Sequence, residues 1–412
     1  MSIPSTLAQE LRERIASGTL KSGDPLPSTR VMAQTMGVSR GSVVVAYEEL
    51  IGEGYLTASR AGTRVNPSLP AAPKPVAATV PQPAVQRSLP LTPGVPDTTL
   101  LTSRDWRAAW RQAAAEPQSY PVPGSPRLRA ALAEHLRRTR SVVVDPDRLL
   151  ITAGARDGLR LLLSVIEGPI AVETPGLPML ARVPRELGRE VVPTPIDVDK
   201  LDDISPAVVL TMPNHQYPMG TQMPAGTRFS LIEWSRKTGA VIVEDDYDSE
   251  LRQAHPALVA LDPGGQVAML GSFAKTLTPA LGLGYLVVPE QVRVDVTARA
   301  VPVSGIVQDA LANFFEADGV RRHTARMRRE YVRRRALFNE VFPDGEPMDG
   351  GLHAVLELPD EARVVERARA AGLGVKGLRE YWSNSTRSGV VLGLGSAHLR
   401  EHLETLRGII DP

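Results

Sequence analysis

The sequence has no cysteine among its 412 residues, and aromatic residues make up only 4% of it. Without thiols the chain can form neither a disulfide framework nor a thiolate metal site, and its seven histidines are scattered instead of clustered. No stretch approaches the ~20 apolar residues that span a bilayer, and the start lacks the features of a signal peptide. These absences predict a cytoplasmic protein with no metal site and no membrane segment.

The chain is 42% hydrophobic and 23% charged, which is too apolar for disorder and too long for one ordinary core. Nine prolines recur between residues 66 and 96, a composition that favours extended polyproline II structure. We therefore predict a small first domain over residues 1–66, a linker over 67–96 and a large domain over 97–412.

A helix-turn-helix is predicted between residues 26 and 50. Ser28 and Ser39 each precede a helical apolar pattern, where a serine caps the helix, and Gly37 stands at the break between the two helices. The start of the second helix enters the major groove in such a motif, and Ser39, Arg40 and Ser42 lie there. Arg40 is the best candidate to contact a base edge or a phosphate.

Two short extended segments, 54–58 and 62–65, follow on either side of the turn Ser59-Arg60-Ala61. Glycine and cations beside such a turn suit a wing that approaches the DNA backbone or the minor groove. The wing residues in question are Arg60, Gly62, Thr63 and Arg64. The alternative is a plain three-helix bundle with surface arginines, but the turn, the caps, the wing and the arginines all favour DNA binding.

This segment resembles the GntR family of winged-helix regulators over nearly all of residues 3–65. The matching residues are Leu26-Pro27-Ser28, Arg30, Ala33, Gly37-Val38-Ser39-Arg40, Val43, Ala46-Tyr47, Leu50 and Gly54-Tyr55. The resemblance implies that Arg30, Arg40, Gly62 and Thr63 contact double-stranded DNA.

Beyond the linker, helical segments alternate with short apolar runs, which favours a mostly parallel sheet covered by helices. Residues 350–412 have their own short strands and helices and predict a smaller α+β subdomain. The predicted fold class is α/β, with an N-terminal winged helix-turn-helix attached.

Two of the apolar runs lead into residues that could bind a ligand or react with it. One run ends in Glu244-Asp245-Asp246-Tyr247, and the next is followed by Ser272-Phe273-Ala274-Lys275. A carboxylate at a strand end can hold a protonated pyridine nitrogen, and a nearby lysine can form an imine with an aldehyde. A third run leads through Gly154, Ala155 and Arg156 into a helix, whose backbone N–H groups suit a phosphate.

The order of these segments resembles the fold type I aminotransferases, and behind a GntR-like domain it resembles the MocR subfamily of regulators. The resemblance implies that Lys275 forms an imine with pyridoxal 5′-phosphate, that Asp245 contacts the pyridine nitrogen and that Ser272 contacts the phosphate. It also implies a homodimer that binds paired half-sites. Further cofactor neighbours implied by the resemblance are Tyr120 near the phosphate and the dimer interface, Tyr247 at the ring, and His215 and Tyr217 beside it.

Three positions depart from the pattern of these relatives. Gly282 occupies the place of an arginine that binds the cofactor phosphate, and Leu177 that of an aromatic residue that stacks on the ring. Val391 stands where an arginine grips the carboxylate of an amino acid. Arg156 and Arg387 are candidates to replace the two arginines. Because charge-assisted hydrogen bonds are lost, we expect weaker cofactor retention and no efficient transamination.

Three functions follow from this pattern. The regulator senses pyridoxal phosphate itself and controls vitamin B6 biosynthesis genes, or it senses an amino acid or amine that reacts with the bound aldehyde. The third alternative is an active aminotransferase. Separately, residues 321–335 carry eight arginines and one acid, which indicates either DNA phosphate contacts or the solvated face of a helix that joins two subdomains.

Overall fold

The computed structural model describes residues 2–60, 62–69, 88–252, 255–262, 264–347, 351–382 and 387–411. The chain divides into two compact units, Met1–Gln86 and Arg87–Pro412. Most of the expected linker, residues 70–87, lies outside the described residues. Its last part differs from the prediction, because Leu91 is only 2% exposed in the core of the second unit and its carbonyl accepts from Gly393 N at 2.8 Å. The linker therefore ends before Leu91 instead of at Pro96.

The first unit is a winged helix-turn-helix. Ser28 accepts from Val31 N and Ser39 from Ser42 N, so both predicted caps form, and Gly37 ends the first of these helices with φ 66°. The hairpin begins two residues later than predicted, at Leu56, because Gly54 at φ 82° completes the turn after the preceding helix. The elements are α1 Ile3–Ala16, α2 Thr29–Met36, α3 Arg40–Gly52, β1 Leu56–Ser59 and β2 Gly62–Val65.

The second unit is built around a seven-stranded sheet with the order β3-β9-β8-β7-β6-β4-β5, in which only β9 runs antiparallel to its neighbours. The strands are β3 Leu149–Thr152, β4 Ile170–Glu173, β5 Val191–Thr194, β6 Val208–Thr211, β7 Val241–Asp245, β8 Val267–Ser272 and β9 Gly284–Val287. The helices along this part are α4 Arg104–Ala115, α5 Pro126–Arg140, α6 Ala155–Leu163, α7 Pro178–Glu186, α8 Val198–Ile204, α9 Ala225–Thr238, α10 Leu258–Leu261, α11 Arg293–Arg299, α12 Gly305–Glu316 and α13 Gly319–Val341.

Alternate residues of the central strands pack on opposite faces of this sheet, as their unbroken apolar runs require. In β7, Val241 and Val243 join the core on one face, while Ile242 joins the core on the other. Strands β3, β4, β6, β7 and β8 all end at the same edge. Polar residues that follow those strands therefore gather there, where ligands bind in open α/β sheets.

The chain ends in a four-stranded antiparallel sheet with the order β10-β11-β13-β12. Its strands are β10 Glu346–Pro347, β11 His353–Glu357, β12 Lys376–Gly377 and β13 Gly389–Gly393, and its helices are α14 Glu361–Ala370 and α15 Leu399–Ile410. This is the predicted small α+β part. Among the described residues no helix is both long and apolar enough to cross a bilayer.

Candidate functional site

Lys275 lies three residues beyond the end of β8, at the edge where the parallel strands end. Its Nζ donates a hydrogen bond to the carbonyl of Gly94 at 2.5 Å. Burial lowers the pKa of Lys275, against the opposing charges of Asp245 and Asp248. A lowered pKa leaves more of the amine neutral, and only a neutral amine can attack an aldehyde.

Three carboxylates end β7 or follow it, and their surroundings give them different roles. Glu244 accepts from Asn214 Nδ2 at 3.0 Å. Asp246 accepts hydrogen bonds from Nε and Nη2 of Arg140, at 2.8 and 2.9 Å. Asp245 is only 4% exposed and receives no hydrogen bond from any described residue, so it is the one left for a ligand.

The surroundings of Asp245 disfavour its ionised form, and a bound cation would stabilise that form. Burial raises its pKa to about 8, and the neighbouring carboxylates Asp246 and Asp248 add to the shift, while Lys275 opposes it. A protonated ring nitrogen against this carboxylate would restore its charge. The residue therefore fits the pyridine nitrogen of pyridoxal phosphate.

The loop between β3 and α6 offers a place for a phosphate. Gly154 precedes the helix at φ 113°, and no side chain caps the first N–H groups of α6. Gly284 allows the close approach of this loop, because a Cβ there would lie 2.8 Å from the Gly154 Cα. The amides of Gly154, Ala155 and Arg156 thus remain available, as an anion site at a helix N-terminus requires.

The structure gives no support to Arg156 as a substitute for the missing phosphate arginine. Its side chain is exposed and pairs with Glu186 at 3.3 Å. Ser272 lies in the turn that leads to Lys275, where its Oγ accepts a hydrogen bond from Ala274 N at 3.2 Å. Gly282 has φ 55°, a left-handed conformation that disfavours an arginine at that position.

His215 and Tyr247 form a buried hydrogen-bonded group with Asp248. His215 Nδ1 is 2.7 Å from Asp248 Oδ2 and 2.8 Å from the Tyr247 hydroxyl, which also donates to the His215 carbonyl at 3.0 Å. Burial alone would raise the pKa of Asp248, but His215 and Arg252 outweigh it and lower that pKa to about 2. His215 Nε2 is buried and has no hydrogen-bond partner among the described residues.

An apolar and aromatic surface closes the side of the site formed by the C-terminal sheet. Val391 packs there with Val355, Leu378, Tyr217 and Tyr381. Burial, and secondarily the charge of His215, lowers the pKa of His353 to about 3, so this histidine is neutral. The predicted substitute Arg387 is 41% exposed, pairs with Glu357 and lies over the Trp382 ring, with its Cζ 5.8 Å from the ring centroid.

Tyr120 stays a prediction as a phosphate neighbour. Its hydroxyl donates to Asp309 Oδ1 at 2.7 Å within the same chain. The other carboxylate oxygen of Asp309 is buried and accepts no hydrogen bond from the part of the chain that the structure describes.

Several residues that shape the site were not predicted from the sequence. Gly94 holds the lysine, and Asp248 orients His215. Glu173 at the end of β4 accepts from Met212 N at 2.6 Å and from Gln216 at 3.1 Å, which fixes the segment on either side of His215. The acidic run after β7 was a signal for Asp248, whereas nothing local in the sequence pairs Gly94 with Lys275.

The predicted DNA-contact residues lie at the surface of the first unit. Arg30, Arg60 and Arg64 are exposed and form no ion pair with any described residue, and Arg40 has only a 3.4 Å contact with Thr29. Arg12 behaves differently, because it pairs with Glu49 and Glu53 within the unit. Exposed arginines without a protein partner are suited to phosphates. The other predicted contacts are Ser39 and Ser42, whose hydroxyls are 2.9 Å apart, and Gly62 and Thr63 in β2.

The arginine-rich run forms much of α13, and most of it is engaged inside its own unit. Arg334 is buried against Asp97 and Glu330, and Arg328 donates to the Glu250 carbonyl at 2.6 Å. Arg321 pairs with Asp318. This arrangement favours the joining-helix alternative, and DNA contact by this run stays a prediction.

Comparisons with known families agree with this architecture. Residues 4–65 match the family model of bacterial regulatory proteins of the gntR family, and residues 89–348 match aminotransferase class I and II. The fold of the second unit is that of an archaeal alanine:glyoxylate aminotransferase, with TM-score 0.70 and 20% identity over 79% of this chain and 91% of that one. LysN of Thermus thermophilus, solved with N-(5′-phosphopyridoxyl)-L-leucine, has a TM-score of 0.69 and 22% sequence identity. The match covers 79% of this chain and 92% of LysN.

Two curated relatives are similar over almost their whole length. The HTH-type pyridoxine biosynthesis transcriptional regulator PdxR of Corynebacterium glutamicum is 42% identical over 96% of this chain and 92% of its own. The probable rhizopine catabolism regulatory protein MocR of Rhizobium meliloti is 31% identical over 97% of this chain and 92% of its own.

Proposed function

The chain belongs to the MocR-type transcription regulators of the GntR family, and from this premise we propose that its second unit binds pyridoxal phosphate reversibly and reports the cofactor to its DNA-binding unit. The observation that carries the proposal is the combination of a buried lysine with a lowered pKa and a buried Asp245 that receives no hydrogen bond from any described residue. The regulated genes would be those of vitamin B6 synthesis, as the name of the relative PdxR suggests.

Each polar part of the cofactor has a candidate partner in this chain. Lys275 suits the aldehyde, Asp245 the ring nitrogen, and the amides of 154–156 with Ser272 the phosphate. When bound, the cofactor supplies an aldehyde that condenses with an amine. At the phosphate site, glycine occupies position 282 in place of an arginine, and Arg156 pairs with Glu186, which supports release of the cofactor on dilution.

The surface around Val391 argues against an amino acid as the signal. An amino-acid carboxylate would have to leave water for an apolar surface, where Val391 stands in the place of the arginine that grips a carboxylate. The same surface argues against efficient transamination, because the enzyme reaction needs the carboxylate held in a fixed position.

Equilibrium binding and turnover assays test this function. We expect spectroscopic titration of the full chain to give reversible saturation by pyridoxal phosphate, with DNA affinity changing over the same concentration range. Sustained conversion of an amino acid to its keto acid over many turnovers would contradict it, as would a cofactor that is never released.

A further inference from the structure

The outer face of α3 is unusual for a surface helix. The inner face carries Val43, Ala46, Tyr47 and Leu50, all buried in the core of the first unit. The opposite face, at the spacing i, i+3, i+4, i+7, carries Gly41, Val44, Val45 and Glu48. This outer face therefore has two valines, one glycine, one glutamate and no cation.

Val45 is 51% exposed, although neither packing nor helix stability favours it there. A β-branched residue on a solvated helix face loses rotamer freedom and stabilises the helix less than alanine would. Beside it, Gly41 adds no side chain to the surface, and a Cβ there would meet only the Ser39 hydroxyl at 3.8 Å. The part of the outer face formed by Gly41, Val44 and Val45 is thus low and apolar, and it can approach another surface closely.

Exposed cations surround this face. Arg40 begins the helix, Arg30 lies on α2, and Arg60 and Arg64 lie on the hairpin. In a helix-turn-helix such cations hold phosphates and fix the orientation of the second helix, while the outer face of that helix meets base edges. The charge distribution identifies the occupant as the major groove of duplex DNA.

We propose that Val45, with Val44 beside it, recognises the 5-methyl group of a thymine and so selects an A·T pair at one position of each half-site. The thymine methyl is the apolar group that the major groove presents, and apolar side chains are its partners. This inference rests on the proposed binding of DNA by the first unit. It adds which kind of base pair the unit selects and which residue selects it.

The test compares thymine with uracil, which differs only by the missing methyl. A duplex is first selected by the full-length protein from a random pool, and each thymine is then replaced in turn by uracil. For the wild type we expect about fourfold weaker binding at one position of each half-site, the effect of one lost methyl contact. Val45→Ala is expected to show a smaller difference between the thymine and uracil duplexes than the wild type, because it removes two of the methyl groups that face the base.

Val31→Ala is the matched control, because Val31 is 50% exposed but lies on α2. This variant should keep the wild-type preference for thymine. Equal binding of every uracil duplex by the wild type would overturn the inference and leave DNA binding intact. If the wild type enriches no duplex at all, the proposed function itself fails, and this inference fails with it. Both variants place alanine on a helix surface, so folding is not at risk.

Discussion

The Nζ of Lys275 lies 2.5 Å from the carbonyl oxygen of Gly94, a residue 181 positions earlier in the chain. Gly94 has φ 70°, and a Cβ at this position would also lie 2.5 Å from Nζ. The glycine therefore does two things at once. It adopts a conformation that other residues avoid, and it leaves space for the amine that is proposed to bind the cofactor.

Gly94→Ala should impair cofactor binding through this close approach. The added methyl would push the amine away, so we expect at least about tenfold weaker binding of pyridoxal phosphate, about 1.4 kcal/mol. Absorbance titration measures it. Gly372→Ala is the control, since Gly372 has a similar φ of 78° but nothing within 4 Å of its Cβ position. Equal losses in both variants would assign the effect to backbone strain alone.

Asp245→Asn should weaken the cofactor complex, because an amide cannot hold a protonated ring nitrogen by charge. We expect at least tenfold lower affinity in the same titration, about 1.4 kcal/mol. Asp147→Asn is a control, since that carboxylate is 76% exposed and pairs with Arg129 elsewhere in the unit. Unchanged affinity in Asp245→Asn would remove Asp245 from the site.

Asp245 should also make the free energy of unfolding of the cofactor-free protein depend on pH. Burial raises the pKa of Asp245 from 3.8 to about 8, so between these values the folded chain holds a proton that the unfolded chain has lost. The contribution of Asp245 to stability is thus present below about pH 4 and falls as the pH rises to 8, by up to about 1.4 kcal/mol per unit. Denaturant unfolding at several pH values should show wild type losing stability relative to Asp245→Asn across this window.

Arg140→Met should destabilise the second unit strongly. The Arg140 and Asp246 side chains are 1% and 2% exposed, and the substitution leaves a buried carboxylate without its partner. Breaking such a pair costs about 3–5 kcal/mol. Arg138→Met, at a side chain 64% exposed, should change the free energy of unfolding by less than about 1 kcal/mol. Similar values for the two variants would contradict this role of Arg140.

Arg40→Ala should reduce affinity for DNA, and the salt dependence of binding should fall by about one charge if Arg40 contacts a phosphate. Arg12→Ala removes a cation from the same unit, but one already paired with Glu49 and Glu53. Fluorescence anisotropy on a selected duplex over a range of salt concentrations compares them. A larger loss for Arg12→Ala than for Arg40→Ala would contradict the assignment.

The sequence was most informative where local chemistry decides the structure. Caps such as Ser28 and Ser39 act within a few residues, and short β-branched runs such as 241–243 favour buried strands, so the winged helix and the parallel sheet were predictable. Lys275 and Asp245 also followed from their places after neighbouring strands.

Long-range pairing was not predictable in the same way. Nothing near Arg156 in the sequence shows that its side chain turns to Glu186, and nothing near Arg387 shows that it turns to Glu357. The same holds for Leu91, which lies in a proline-rich stretch of the sequence but packs in one hydrophobic core with residues between 327 and 406. These contacts depend on where the sheet brings distant segments together.

The most direct test of the account is the absorbance spectrum of the purified full-length protein with and without pyridoxal phosphate, repeated for Lys275→Ala. We predict a band of a protonated imine that appears on addition, disappears on dialysis and is absent from the variant. A band that survives dialysis would contradict the cofactor as signal, and the absence of any band in the wild type would contradict the site itself.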